Sequence, residues 1–544
     1  MTRVGQQSGG ADLRGGRLAA AMLLAMIALP LPGAAQQGSG APLSAIDWLQ
    51  QALEAPMPQP PWPDGPGVSD SREGSAATAL LPDTTLTIPS SAVVTASLSG
   101  DARDVAGLFT AERAGLPRDL WAAIPRSEVI AAIAELPTDT LPSAMRLTLR
   151  LLLAEFAPPL DDMPDSRDAL LTARLDKLIA LGALEQAGQL IAAVPDTGAA
   201  LDARAFDIAL LLGEEDRACA QMQGRIAPDI GHAAQVFCMA RRGEWQAAHA
   251  SLMVARSLRL IPEPEAGLLA RFLEEEEAEA PPPPPQQTTP LGWRIMEALG
   301  DPVTTAGLPV AYAHADLRGT SGWRAQLDAA ERLTRAGVLQ SNRLHGLYTQ
   351  RRAAASGGLW ERVRAVQALE RAAARGDTDV VAEVLITAWP LFVAVELEVA
   401  FAETHAAALA NLPLTGHAGE IQWNLLVLAQ EDPARAAELM PEGGVGPLVM
   451  ALIEERELPA VARAPMAQAI RDGFSAATPP EDVQTQIDAG ATGMVLRGAL
   501  GALAQAAVGD VQAANAGLQG LRALGLDAVA RQVAIELLLL ERRG

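Results

Sequence analysis

Gly182-Ala-Leu-Glu-Gln-Ala187, Gly213-Glu-Glu-Asp-Arg-Ala218 and Gly243-Glu-Trp-Gln-Ala-Ala248 recur within Leu170 to Pro262, and each closes a helix-like apolar run on glycine with alanine five residues later. A helix commonly ends on a residue in the left-handed region, which glycine enters without a Cβ penalty. A small alanine one turn into the next helix lets the two backbones cross closely, so each step reads as the turn of a helical hairpin. The glycines are 31 and 30 residues apart. A fixed period of this size marks units that bury their apolar faces only by stacking. The expectation is an all-α chain built as an α-solenoid of stacked helical hairpins; an irregular helical bundle whose short loops use glycine is the plainer alternative. Gly509-Asp-Val-Gln-Ala-Ala514 repeats the step near the end of the chain.

Composition agrees with helices. Aromatic content of 3% beside 49% hydrophobic residues means a core of Leu, Ala, Val and Ile, with few β-branched runs. The 65 Asp+Glu outnumber 42 Lys+Arg, for a net charge of −23; a nucleic-acid backbone would be repelled, so no nucleic-acid partner is expected. Lys177 is the only lysine, which reads as genomic base composition. A chain of 544 residues suffices for two or three globular domains, or for one extended solenoid.

Residues 1–35 read as a signal peptide: Arg3, Arg14 and Arg17, then the uncharged run Leu18 to Leu29, then Pro30, Pro32 and Gly33-Ala34-Ala35, with cleavage before Gln36. The run is shorter than the roughly 20 residues a membrane span needs, and the later apolar stretch Leu385 to Ala402 is broken by Pro390, Glu396 and Glu398. The mature chain is therefore expected in the periplasm without stable membrane insertion. Residues 36–82, rich in Pro, Gly, Ser and Ala, are expected to be a disordered linker. One island interrupts it at 44–55, where Ile46, Trp48, Leu49 and Leu53 share one side of a helical wheel. Such a short amphipathic helix is marginal alone, so it docks either in the chain's own groove or in a partner's. Thr84 to Leu98 reads as one or two short strands, or an extended arm laid along the first helices, opening a first helical half, 83–273. An acidic and polyproline spacer follows at 274–290, either a domain boundary or a surface loop. The second helical half, 291–544, starts with helices at Leu291 to Leu299, Ser321 to Ala336, Ser341 to Arg352 and Leu359 to Arg375. A loop spans Pro302 to Leu317, and a last helix covers Val529 to Glu541.

Cys219 and Cys238 fall at similar heights on adjacent expected helices, so a structural disulfide is reasonable in an exported protein, with two buried thiols as the alternative. Arg318 to Arg375 carries eleven arginines against Asp328, Glu331, Glu361 and Glu370, a basic island in an acidic chain. Arginines with aromatics compose interaction sites, and the candidates are Trp323, Arg324, Arg343, Tyr348, Arg351, Arg352 and Trp360, beside Ile46, Trp48, Leu49 and Leu53. A solvated face or internal acid–base seam, with pairs Asp328–Arg332 and Glu331–Arg335, explains the same composition. The six histidines show no metal-binding spacing, and no nucleophile elbow or phosphate-cradling loop occurs. His314-Ala-Asp316 is the nearest approach to a catalytic cluster and reads equally as a local turn. No catalytic residue, metal or cofactor is expected.

The Gly-x-x-x-x-Ala steps at 182, 213 and 243 resemble the turn linking the two helices of a tetratricopeptide-like repeat, over roughly a sixth of the chain. The chain also resembles a poorly characterised group of Ala-rich exported bacterial proteins. The repeat resemblance implies a scaffold for protein–protein interaction, here a periplasmic one joining an envelope protein partner in a larger assembly. From a different class, the alternative is a cell-wall-active enzyme with a cleft in the second half.

Overall fold

The computed structural model describes residues 103–163, 168–194, 198–221, 231–273, 288–460 and 464–540. The expected signal peptide, linker with its 44–55 helix and 84–98 arm, and all of residues 274–290 but the last three, lie outside these. The described residues are mostly helical, with 25 α-helices.

The first segment holds α1 (Ala111–Ala114), α2 (Arg126–Ala134) and α3 (Pro142–Leu153). Pro142 stands at the first turn of α3, where its missing N–H costs nothing. Strands β1 (Phe109–Thr110) and β2 (Ala154–Glu155) pair in parallel over two residues each. Strands this brief leave no mark in the sequence, because two residues carry no alternation to read.

The glycine-turn hairpins follow as α4 (Ala169–Ala180) with α5 (Leu184–Ala192), α6 (Ala199–Leu212) with α7 (Glu215–Gln221), and α8 (His232–Arg241) with α9 (Trp245–Ser257). Gly182, Gly213 and Gly243 take φ of 79°, 78° and 80°, the left-handed turn their spacing implies. Ala187, Ala218 and Ala248 are buried. Cys219 on α7 and Cys238 on α8 are bonded, with Cα atoms 5.3 Å apart. Helix α10 (Glu263–Leu273) packs on α8 and α9.

Beyond the spacer come α11 (Pro290–Ala298), α12 (Ala313–Asp316), α13 (Trp323–Arg335), α14 (Ser341–Gln350), α15 (Gly358–Arg375) and α16 (Thr378–Val393). They are followed by α17 (Glu398–Leu409), α18 (Gly416–Ala429), α19 (Pro433–Glu438) and α20 (Gly446–Ile453). The last five are α21 (Pro465–Ser475), α22 (Glu481–Asp488), α23 (Thr492–Ala507), α24 (Val511–Ala523) and α25 (Asp527–Leu539). The expected loop 302–317 is instead wound into single turns at Thr305–Gly307 and Val310–Tyr312 ahead of α12. Too short for helical periodicity, these turns are held by tertiary contacts: Trp293 Nε1 donates to Val303 O at 3.0 Å, and Arg332 donates to Thr305 O and Leu308 O, both at 2.8 Å.

Two apolar cores result. The larger runs from Ala111 to Leu540, and the smaller gathers α6 to α11 around Phe237 and the disulfide. Residues on both sides of 274–290 enter each core: Leu211 and Trp293 the larger, Leu269 and Ile295 the smaller. The end of the chain returns to its beginning. Helix α25 packs on α3, and α23 packs on α2. Glu536, fully buried, accepts from Ser143 N at 3.0 Å and Ser143 Oγ at 2.6 Å, placing a carboxylate on the otherwise unsatisfied N–H groups that open α3. Gly493 N donates to Leu120 O at 3.0 Å.

Candidate functional site

The aromatics of the basic island are internal. Trp323 and Trp360 pack on each other with ring centroids 5.1 Å apart, and Trp323 Nε1 donates to Leu347 O at 3.0 Å. Tyr348 is 2% exposed; its hydroxyl donates to Glu331 at 2.6 Å, and Arg362 donates to the same carboxylate at 2.8 and 2.5 Å. Burial, reinforced by Glu331, pushes the Tyr348 phenol well above its ordinary pKa. Trp323, Tyr348 and Trp360 therefore bind α13, α14 and α15 together and are not surface anchors. Arg335 reaches Asp139 at 3.0 Å and Glu396 at 2.9 Å rather than Glu331. Arg343 pairs with Glu185 at 3.2 Å, and exposed Arg324 faces Asp328 at 3.7 Å. Arg351 and Arg352 are exposed just past α14. The island is an acid–base seam with a solvated edge. Ile46, Trp48, Leu49 and Leu53 lie outside the described residues.

His314 and Asp316 do not act together. His314 is buried with Nε2 2.7 Å from Gly182 O, while Asp316 accepts from Thr305 Oγ1. Burial, more than any neighbour, lowers the pKa of His314. His314 thus docks the 302–317 segment on the first glycine turn, and Asp316 ties that segment to itself.

The second glycine turn leads to a cleft. A Cβ on Gly213 would stand 2.8 Å from Arg318 Cδ. Glycine here both adopts the left-handed turn and lets the Arg318 stem pass over it. Arg318 then lines a cleft of about 620 Å³ with Leu212, Arg241, Phe272, Arg294 and Glu297. The size suits a small-molecule or peptide ligand, since such sites span roughly 300–1,000 Å³. One wall is a row of ion pairs. Arg241 donates to Asp216 at 3.0 and 2.5 Å, Arg294 bridges Glu215 and Glu297, and Arg318 joins Glu297 while donating to Ala315 O at 2.6 Å. Burial opposes the charge on Arg294, yet Glu215 and Glu297 outweigh it and raise the guanidinium pKa. The other wall is apolar: Phe272 stacks on Phe237 at 5.6 Å, with Trp245 6.2 Å away.

Large apolar side chains stay exposed along α9 and just past its end. Trp245, Met253, Val254, Leu258 and Leu260 are five of the nine large apolar side chains exposed among the described residues, and they fall within sixteen positions. Leu258 is 63% exposed. Ala248, Leu252 and Ala255 of α9 enter the smaller core, while Trp245, Met253 and Val254 stay exposed on the helix and Leu258 and Leu260 just past its end. Composition of this hairpin gives no warning: the Gly243 step accounts for the buried residues and leaves the exposed ones unexplained. The sequence does not show the cleft, because its residues converge from four helices, the Gly213 turn and the segment after α12. No protein-family model matches the chain, and no curated protein and no solved structure matches it.

Proposed function

We propose that the chain is a scaffold of tetratricopeptide-like helical hairpins stacked as a solenoid, which binds a second protein of the cell envelope through the exposed apolar side chains of residues 245–260. The observation that carries this is the clustering of Trp245, Met253, Val254, Leu258 and Leu260 on exposed surface. Patches of this kind on a folded chain mark interaction surfaces, and scattered apolar residues elsewhere need no such explanation. The N-terminal signal pattern supports export to the periplasm, and the Cys219–Cys238 bond suits an oxidising compartment. No described helix is long and apolar enough to cross a membrane, in keeping with a partner reached from the aqueous side.

The test is a photo-crosslinking residue placed at Met253 or Leu258 in intact cells, with Val508, exposed in another part of the chain, as reference. A discrete protein adduct from 253 and 258 but not from 508, lost when Val254 is changed to Asp, is the expected result. Equal adducts from all three positions, or none, refute the reading.

A further inference from the structure

We infer that the cleft beside Gly213 binds a carboxylate carried on an apolar or aromatic body, the chemistry shared by a peptide's C-terminal residue and a free acyl amino acid. This inference is independent of the α9 partner. The lining presents three guanidinium groups, Arg241, Arg294 and Arg318, against one carboxylate, Glu297. Glu215 lies behind them with its side chain 6% exposed, and Asp216 points outward at 78%. Glu215, Asp216 and Glu297 balance the three guanidinium charges, so what the wall offers an anion is N–H donors rather than net charge.

Each guanidinium has five N–H donors, and each of these three makes two hydrogen bonds among the described residues. Donors therefore remain for a ligand. Arg241 is the most available: both of its bonds go to one oxygen of Asp216, an exposed carboxylate that water satisfies equally well. An incoming carboxylate displaces it at small cost and gains the planar two-point geometry arginine offers. Glu297 within the wall disfavours a phosphate dianion over a singly charged group. Leu212, Phe272 and the exposed Ala298 then require an apolar body on the ligand.

Isothermal titration of the full chain with N-acetyl-L-phenylalanine, its amide, N-acetylglycine and acetyl-Ala-Ala-Phe tests this. The acid should bind at least about tenfold tighter than the amide, because only the carboxylate forms charge-assisted bonds, and about tenfold tighter than N-acetylglycine, because only the ring is buried. Arg241→Gln should lower affinity about tenfold with an unchanged urea unfolding midpoint. Ala298→Glu, at an exposed position, adds a repelling charge without touching a core and should abolish binding. Tighter binding of the peptide acid assigns the site to peptide C-termini, and binding of the small acid alone to acyl amino acids. Acid and amide within twofold of each other, no binding of any probe at millimolar concentration, or wild-type binding by both variants overturns the inference.

Discussion

Changing Gly493 to alanine should destabilise the protein, although the same change in an open helix stabilises it. Gly493 sits in the first turn of α23, and a Cβ built there would stand 2.2 and 2.3 Å from Cε3 and Cζ3 of Trp121 and 2.9 Å from Leu120 O. Carbon atoms rest at about 3.5–4.0 Å, so the Trp121 ring or the helix must retreat by more than an ångström. Trp121 is 4% exposed in the larger core, and the cavity it lines is only about 20 Å³. Forcing an extra methyl into packed surroundings costs about 1–3 kcal/mol, sometimes more. The gain in helix propensity is at most about 1 kcal/mol. Gly498, in the same helix, is exposed, and a methyl placed on it would meet nothing within 4 Å; there alanine should add about 0.5–1 kcal/mol. The two variants must therefore move the urea midpoint in opposite directions. A double-mutant cycle isolates the cause: in a Trp121→Ala background, Gly493→Ala should become neutral or stabilising. If Gly493→Ala raises the midpoint as Gly498→Ala does, or if Trp121→Ala leaves its effect unchanged, the closure of α23 on the 116–124 segment is not as described.

Three further outcomes are expected. Burial first, and His345 second, depress the His405 pKa to about 3; the unfolded ring takes a proton near 6.5, so stability present above that pH is lost on acidification by about 1.4 kcal/mol per unit. His405→Phe should then reduce the loss between pH 7 and 5 by about 2 kcal/mol in urea titrations, and an unchanged difference between the two pH values argues against it. Lys177 Nζ donates at 2.7 Å to both Ala134 O and Leu136 O, closing the end of α2; Lys177→Met should cost about 2–3 kcal/mol, and an amine-reactive ester should modify the residue only on unfolding, not at the rate of a free peptide lysine. Reduction of Cys219–Cys238 should cost about 3 kcal/mol, and thiols that alkylate in unfolded, unreduced protein would show that no bond exists.

Local chemistry was legible in the sequence; long-range pairing was not. The glycine turns, the extent of α15 within a residue of 359–375 and the cysteine pairing follow from backbone preference and helical rise, which neighbours in sequence determine. The arginine-rich stretch shows the limit. Its composition permits i,i+4 pairs at Asp328–Arg332 and Glu331–Arg335, yet Glu331 bonds Arg362 and Tyr348, and Arg332 bonds backbone carbonyls of the 302–317 segment. Which partner wins depends on the face of α13 that its neighbours cover, and periodicity does not report that. Lys177, read as a trace of base composition, is a helix cap for the same reason: its partners lie more than forty residues away.

The segment between α11 and α13 links these two levels. Its His314 meets the carbonyl of Gly182, and Arg318, four residues on, crosses Gly213. Four residues advance a helix about 6 Å, so α12 and the residues following it bring both side chains to successive turns of the hairpin series. The glycines visible as punctuation thus serve a second purpose that their spacing conceals. At 182 the carbonyl, which also accepts from Leu184 N, receives a histidine, and at 213 the missing Cβ admits an arginine to the cleft. Gly243 has nothing within 4 Å of a Cβ position, and the hairpin it opens is the one whose large apolar side chains stay exposed. The contrast among three similar turns therefore separates the part of the series that other described segments cover from the part they leave exposed.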